Sequence, residues 1–182
     1  PNGAILQGVE KSAREHSLKI ERMSASQSEH RFPMCHVPDH MEAIFEPSAG
    51  MLYVEDCVAT YVRAAEQRKA VVRTQSRVER IEFDTDPIVI HLDSEKITAD
   101  RVVICGGAWA SQLLDLSLPL EVARKHLHWY STDQPQWKAE RGCPTFFYEL
   151  PDGCFYGFPA VDPNGVKVAE HTGAEKLLTP EN

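Results

Sequence analysis

The sequence predicts a mixed α/β chain of the α+β class, built in two parts of different pattern. Three observations carry this. First, Arg101-Val102-Val103-Ile104-Cys105 is apolar after its first residue and stops at Gly106-Gly107. Such a run suits a strand buried on both faces of a parallel sheet. Second, residues 146–150, 154–158 and 166–170 read as three antiparallel strands, divided by Pro151-Asp152-Gly153 and Asp162-Pro163-Asn164-Gly165. Those two segments have the chemistry of tight turns. Third, Asp56 opens a stretch that places Val58, Ala59, Val62 and Ala65 on one face of a helix.

Taken in chain order, residues 8–16 hold good helix formers and predict a short helix, and Leu18-Lys19-Ile20-Glu21 alternates like a strand. Ser24 and Ser26 are candidate N-caps for a helix up to His30, which Phe32-Pro33 ends. Residues 42–46 predict a strand, and Pro47-Ser48-Ala49-Gly50 is turn chemistry leading to an extended path over 51–54. The helix from Asp56 runs to Arg68. Strands are predicted at 70–73, 76–83 and 88–92, and Ser94-Glu95-Lys96 turns into a strand over 97–100. A helix from Trp109 to Leu116 and a long strand over 119–130 follow. Residues 47–116 thus belong with a dinucleotide-type sheet. Residues 117–182 would form an incomplete antiparallel sheet over a ligand, with residues 1–46 packed against it.

Composition narrows the function. Among 182 residues, 42% are hydrophobic and 25% charged, which is ordinary globular usage. The net charge of -8 argues against nucleic acid, whose affinity rests on neutralised phosphates. No apolar run reaches the roughly 20 residues of a membrane helix, and no signal peptide is visible, so a cytoplasmic location is expected. The five cysteines, Cys35, Cys57, Cys105, Cys143 and Cys154, are odd in number and widely spaced. Free thiols are the simple reading. The opening at Pro1 and the close at Asn182 read as interrupted, and a fragment is expected.

Three constellations could carry chemistry. At Gly106-Gly107-Ala108-Trp109 a strand meets a helix start, where small residues admit a ligand and free N–H groups face an anion. A tight turn with a packed tryptophan explains the same residues. In the second, Lys167, Ala169 and His171 share one face of a strand, near Tyr156-Gly157-Phe158-Pro159. A lysine pointing inward beside an aromatic would suit a developing anion. An outward face of an edge strand is the alternative. In the third, His126 and His128 share a face and could bind a metal, but no third ligand is evident, so no metal site is assigned.

At Ile44-Phe45-Glu46-Pro47-Ser48-Ala49-Gly50-Met51-Leu52 the chain resembles the monomeric sarcosine oxidase and N-methyltryptophan oxidase family of the D-amino-acid oxidase superfamily. The likeness continues through Ser76-Arg77-Val78, Gly107-Ala108-Trp109 and Glu149-Leu150-Pro151-Asp152-Gly153. It is strongest at Tyr156-Gly157-Phe158-Pro159 with Lys167, His171 and Thr172. Collinear order over nearly the whole chain is more specific than any one motif, and it favours the functional readings of the first two constellations.

The resemblance implies that residues 47–116 are part of an FAD-binding domain and that 1–46 and 117–182 are parts of a substrate domain. Val78 would lie near the adenine end of FAD, and Gly106, Gly107, Ala108 and Trp109 would line the flavin-binding face. Tyr156, with Phe147, would border the substrate, Lys167 would activate oxygen beside the flavin, and His171 would tune the pocket. The implied reaction is oxidation of the secondary amine of an N-methyl amino acid, with formaldehyde and hydrogen peroxide released. The family's glycine-rich loop and substrate-binding arginines would precede Pro1, and its flavin-linking cysteine would follow Asn182. The chain alone is therefore expected to bind FAD weakly or not at all. A catalytically inactive fragment or a flavin-free binding module is the alternative. Exposed sheet edges also predict self-association.

Overall fold

The computed structural model describes residues 3–114 and 119–181. In chain order the elements are α1 (Ala4–His16), β1 (Glu21–Ser24), α2 (Ala25–Arg31), β2 (Glu42–Phe45), α3 (Val54–Gln67), β3 (Val78–Glu82), β4 (Ile88–Leu92) and β5 (Lys96–Ala99). They continue with α4 (Ala110–Leu113), β6 (Val122–Arg124), β7 (Leu127–Tyr130), β8 (Phe146–Leu150), β9 (Gly153–Phe158), β10 (Val166–Glu170) and β11 (Glu175–Leu177). Helices and antiparallel sheets are mixed throughout, as the α+β reading expects. The chain divides into two compact units.

The first unit runs to Leu52 and resumes over Lys125–Gly173. Its centre is a four-stranded antiparallel sheet in the order β7-β10-β9-β8. Two glycines fit its strands together. Gly157 pairs with Phe146, whose ring lies where a Cβ would come within 2.1 Å. Gly165 has φ +93, and a Cβ there would meet the Tyr130 carbonyl oxygen at 2.0 Å. Only glycine combines that backbone with that contact. Beside the sheet, β1 and β2 form an antiparallel pair. Ser24 caps α2 reciprocally with Gln27: the Gln27 N–H donates to Ser24 Oγ, and the Ser24 N–H donates to Gln27 Oε1. The first turn of α1 is tied to the sheet, since the Ile5 and Leu6 N–H groups donate to the Glu149 carboxylate. A carboxylate at a helix N-terminus satisfies free donors and complements the dipole. Ala13, Ala25, Val37, Cys143, Val166 and Ala169 are buried here.

The second unit covers Tyr53–Arg124 and resumes at Ala174. It contains the meander β3-β4-β5 and the antiparallel pair β6–β11. Leu92 is its one buried apolar side chain among the described residues.

Several expected elements differ in extent. The strand expected over 18–21 lies at Glu21–Ser24, where β2 supplies its partner. Helix α3 starts at Val54, so Asp56 stands in the first turn, where its charge complements the dipole, and not at the cap. The segments 70–73 and 101–105 are irregular, not strands, and Val103 is 85% exposed. A strand exists only where a neighbour takes its backbone N–H and C=O groups, and among the described residues none pairs with either segment. The long strand expected over 119–130 is split into β6 and β7, which pair with β11 and β10 respectively. The helix expected over 109–116 is a 3-10 turn at Gly107–Trp109 followed by α4, and positions 115–118 lie outside the described residues.

Candidate functional site

Antiparallel pairing decides which side chains meet on the sheet of the first unit. Directly opposed residues project from the same face, and so do residues two apart along a strand. Lys167 on β10 lies opposite Trp129 on β7 and Phe158 on β9. One step along, Ala169 lies opposite Leu127 and Tyr156, and Tyr156 lies opposite Phe147 on β8. His171 follows just past β10, with its backbone N–H donating to the Cys154 carbonyl at 2.7 Å.

The rings on this face meet edge to face. The Tyr156 and Phe158 centroids are 5.8 Å apart, Tyr156 and His171 are 6.1 Å apart, and Phe147 and His171 are 5.6 Å apart. Such tilted pairs match the positive edge of one ring to the negative face of the next. The Lys167 ammonium stands 5.3 Å from the Trp129 centroid and 5.5 Å from that of Phe158. Ala169, between Tyr156 and Leu127, is 2% exposed. Its methyl group is small enough to let the larger rings converge over it.

The segment bearing His171 is anchored through its backbone. Lys125 Nζ donates to the His171 and Thr172 carbonyls at 3.1 and 2.7 Å. Thr172 Oγ1 accepts from the Cys154 N–H at 2.8 Å and donates to Glu170. A cavity of about 1160 Å³ opens in the same unit, with Phe147, Tyr156, Phe158 and His171 in its wall. Phe32, Phe45 and Met51 also line it, so the wall is largely apolar. Lys167 is not among the lining residues.

Tyr148 also lines the cavity and donates from its hydroxyl to the His36 carbonyl at 3.1 Å. Burial, then the neighbouring Cys35, pushes the Tyr148 phenol up to about 12. Burial likewise pushes the Cys143 thiol up to about 11. These groups stay neutral and serve as apolar wall, since the reactive form of a thiol is its anion.

The structure therefore brings Lys167, Tyr156, His171 and Phe147 together on one face. Of the other members of that face, Trp129 was not singled out from the sequence, and Phe158 stood there only within the Tyr156-Gly157-Phe158-Pro159 segment, with no role of its own. The period-2 pattern places each on a strand face, but the pairing of β7 with β10 is what sets Trp129 beside Lys167.

The remaining candidates belong to the second unit. Val78 opens β3 opposite Leu92 and is half-buried. Gly106 packs against Ala110 and Leu113, and Gly107 has φ +53 with open space where a Cβ would be. Ala108 lies in the 3-10 turn, and the Trp109 indole N–H donates to Glu181 at 2.7 Å. That bond holds the Glu181 carboxyl below the usual carboxylate range. Helix α4 has four residues, too few for a helix-terminus anion site of its own. His126 and His128, which lie in the first unit, are stacked 6.5 Å apart. Among the described residues, no group of three His, Cys, Asp or Glu side chains could hold a metal ion, and no helix is long and apolar enough to cross a membrane.

Comparison with known proteins supplies the family. A family model described as "FAD dependent oxidoreductase" matches residues 3–179. A monomeric sarcosine oxidase from Bacillus sp. is 34% identical over 169 residues, covering 91% of this chain and 43% of the relative. An N-methyl-L-tryptophan oxidase from Citrobacter koseri is 30% identical over 178 residues, covering 97% of this chain and 47% of the relative. The chain thus spans about half the length of the curated relatives it matches. Among solved structures, the open form of NikD, an amino acid oxidase of nikkomycin biosynthesis, superposes with a TM-score of 0.77 at 21% identity, over 96% of this chain and 46% of its own. Glycine oxidase from Geobacillus kaustophilus gives 0.72 at 20% identity, over 94% and 44%. At these identities the structural matches speak for the fold.

Proposed function

Because the chain belongs to the FAD dependent oxidoreductase family, we propose that the whole protein oxidises the secondary amine of an N-methyl amino acid. The observation that carries this is the joining of Lys167, Tyr156, Phe147 and His171 on one sheet face. The names of the relatives, sarcosine oxidase and N-methyl-L-tryptophan oxidase, point the same way.

In this reading the second unit contributes to holding FAD through Val78, Gly106, Gly107, Ala108 and Trp109. The open side of Gly107 fits close approach of a ligand to its backbone. When bound, FAD supplies the two-electron acceptor that oxygen later regenerates with formation of hydrogen peroxide. Tyr156, Phe147 and His171 form an aromatic wall that orients the amine and excludes water. The oxidised substrate is an imine, which water cleaves to formaldehyde and the primary amino acid. Lys167 provides a fixed positive charge for the anion that forms when oxygen takes up the first electron. The partners are thus a small N-methyl amino acid and oxygen.

The test uses the full-length protein. It should purify yellow and consume oxygen with sarcosine or N-methyl-L-tryptophan. Lys167→Met should slow reoxidation by oxygen about 100-fold or more, with substrate reduction little changed. A colourless full-length protein, or reoxidation indifferent to Lys167→Met, would sink this reading. The 182-residue chain alone is a separate question, answered by its intact mass and visible spectrum.

A further inference from the structure

We propose that Trp129 and Phe158 are positioning residues that clamp the Lys167 ammonium and so set the rate at which oxygen is reduced. The proposal rests on the role given to Lys167 above and goes beyond it.

β10 is an inner strand, flanked by β7 and β9. The register puts Trp129 directly opposite Lys167 on one side and Phe158 directly opposite on the other. Both ring centroids lie within 5.5 Å of Nζ, inside the range at which a ring face attracts a cation. Among the described residues the Lys167 ammonium makes no ion pair and no hydrogen bond. The two rings are therefore what restrains a side chain of four methylene groups.

The choice of restraint matters chemically. A carboxylate would also fix the ammonium, but it would cancel the charge that a developing anion needs. A ring quadrupole attracts the cation and leaves its net charge in place. The clamp is itself braced, since Phe158 meets Tyr156 edge to face at 5.8 Å, and Tyr156 meets His171 at 6.1 Å. The cation is thereby held in one continuous aromatic row with the candidate substrate wall.

The test follows the two half-reactions of the full-length holoenzyme separately by stopped-flow flavin absorbance. Trp129→Leu and Phe158→Leu should each slow reoxidation by oxygen about 10-fold. Anaerobic reduction by the amine should stay within about twofold in Trp129→Leu, because that ring meets Lys167 and does not line the cavity. Trp129→Phe should restore reoxidation, since it returns a ring to the same place. A second readout needs no turnover. In the flavin-free full-length protein, the ε-¹³C resonance of Lys167, assigned by its loss in Lys167→Met, should be ring-current shifted. It should move towards the free-lysine position in Trp129→Leu. Wild-type reoxidation in both leucine variants, with Lys167→Met still slow, overturns the clamp and leaves the role of Lys167 standing. Wild-type reoxidation in Lys167→Met overturns that role itself. Equal slowing of both half-reactions in Trp129→Leu, without rescue by Trp129→Phe, also overturns the clamp. Should Trp129→Leu fail to fold, Phe158→Leu and the lysine resonance decide alone.

Discussion

The two units are built from similar residues and reach different states of completion. The sheet unit buries six apolar side chains from both halves of its sequence, from Ala13 to Ala169, whereas the other buries only Leu92 among the described residues. In that second unit Val58 and Tyr61 stand exposed on α3, and Val71 and Val103 are exposed on irregular segments. Both units satisfy short-range antiparallel pairing. They differ in whether apolar segments find long-range neighbours within the chain. Strands β7 and β10 come together across more than 30 residues and close a four-stranded sheet, while the run at 101–105 finds no partner among the described residues. Local pattern makes a segment ready for a sheet, and only a neighbour makes it a strand.

The sharpest way to test this contrast is a pair of glycine substitutions in the full-length protein. Gly165→Ala forces a Cβ onto the Tyr130 carbonyl at positive φ, and should cost about 3 kcal/mol or more. Gly107→Ala meets open space at φ +53, and should cost about 1 kcal/mol from the backbone alone. Thermal unfolding checks both, and equal costs would mean that the sheet unit is no more tightly fitted than its neighbour.

A smaller effect concerns pH. The Tyr148 phenol is pushed from its ordinary 10 up to about 12. Below pH 10 it is protonated in folded and unfolded chains alike, and its contribution is whole. As pH rises from 10 towards 12, only the unfolded chain releases this proton, so stability falls. Tyr148→Phe loses the hydrogen bond to the His36 carbonyl, about 1 kcal/mol at neutral pH, and removes this alkaline loss. Denaturant midpoints of wild type and variant should therefore converge above pH 10. A gap that stays constant would assign the titration elsewhere.

The smallest change in folding stability is expected on the exposed positions. Val58→Lys and Val103→Lys should alter the stability of the 182-residue chain by no more than about 0.5 kcal/mol. Any self-association of that chain, measured by sedimentation velocity, should fall in both variants, because they break exposed apolar surface. Unchanged association would mean that these side chains take no part in it.

The elements with strong local signals were legible from residues alone. Pro151-Asp152-Gly153 and Asp162-Pro163-Asn164-Gly165 separate β8, β9 and β10, and Ser24 caps α2. Turn and cap chemistry acts within a few residues and needs no distant partner. Alternation likewise placed Lys167, Ala169 and His171 on one face. Less local features were not legible. A single apolar pattern over 119–130 gives no sign that β6 and β7 pair with different strands.

By itself, then, the sequence determined the turns and caps that bound the short elements, the α+β class and the resemblance that led to the family, since each rests on the order and type of nearby residues. Tertiary structure alone decided that Trp129 and Phe158 flank Lys167 and that Phe147 reaches His171. Strand order and register depend on which distant segments bury one another, and that cannot be read from any one segment in isolation.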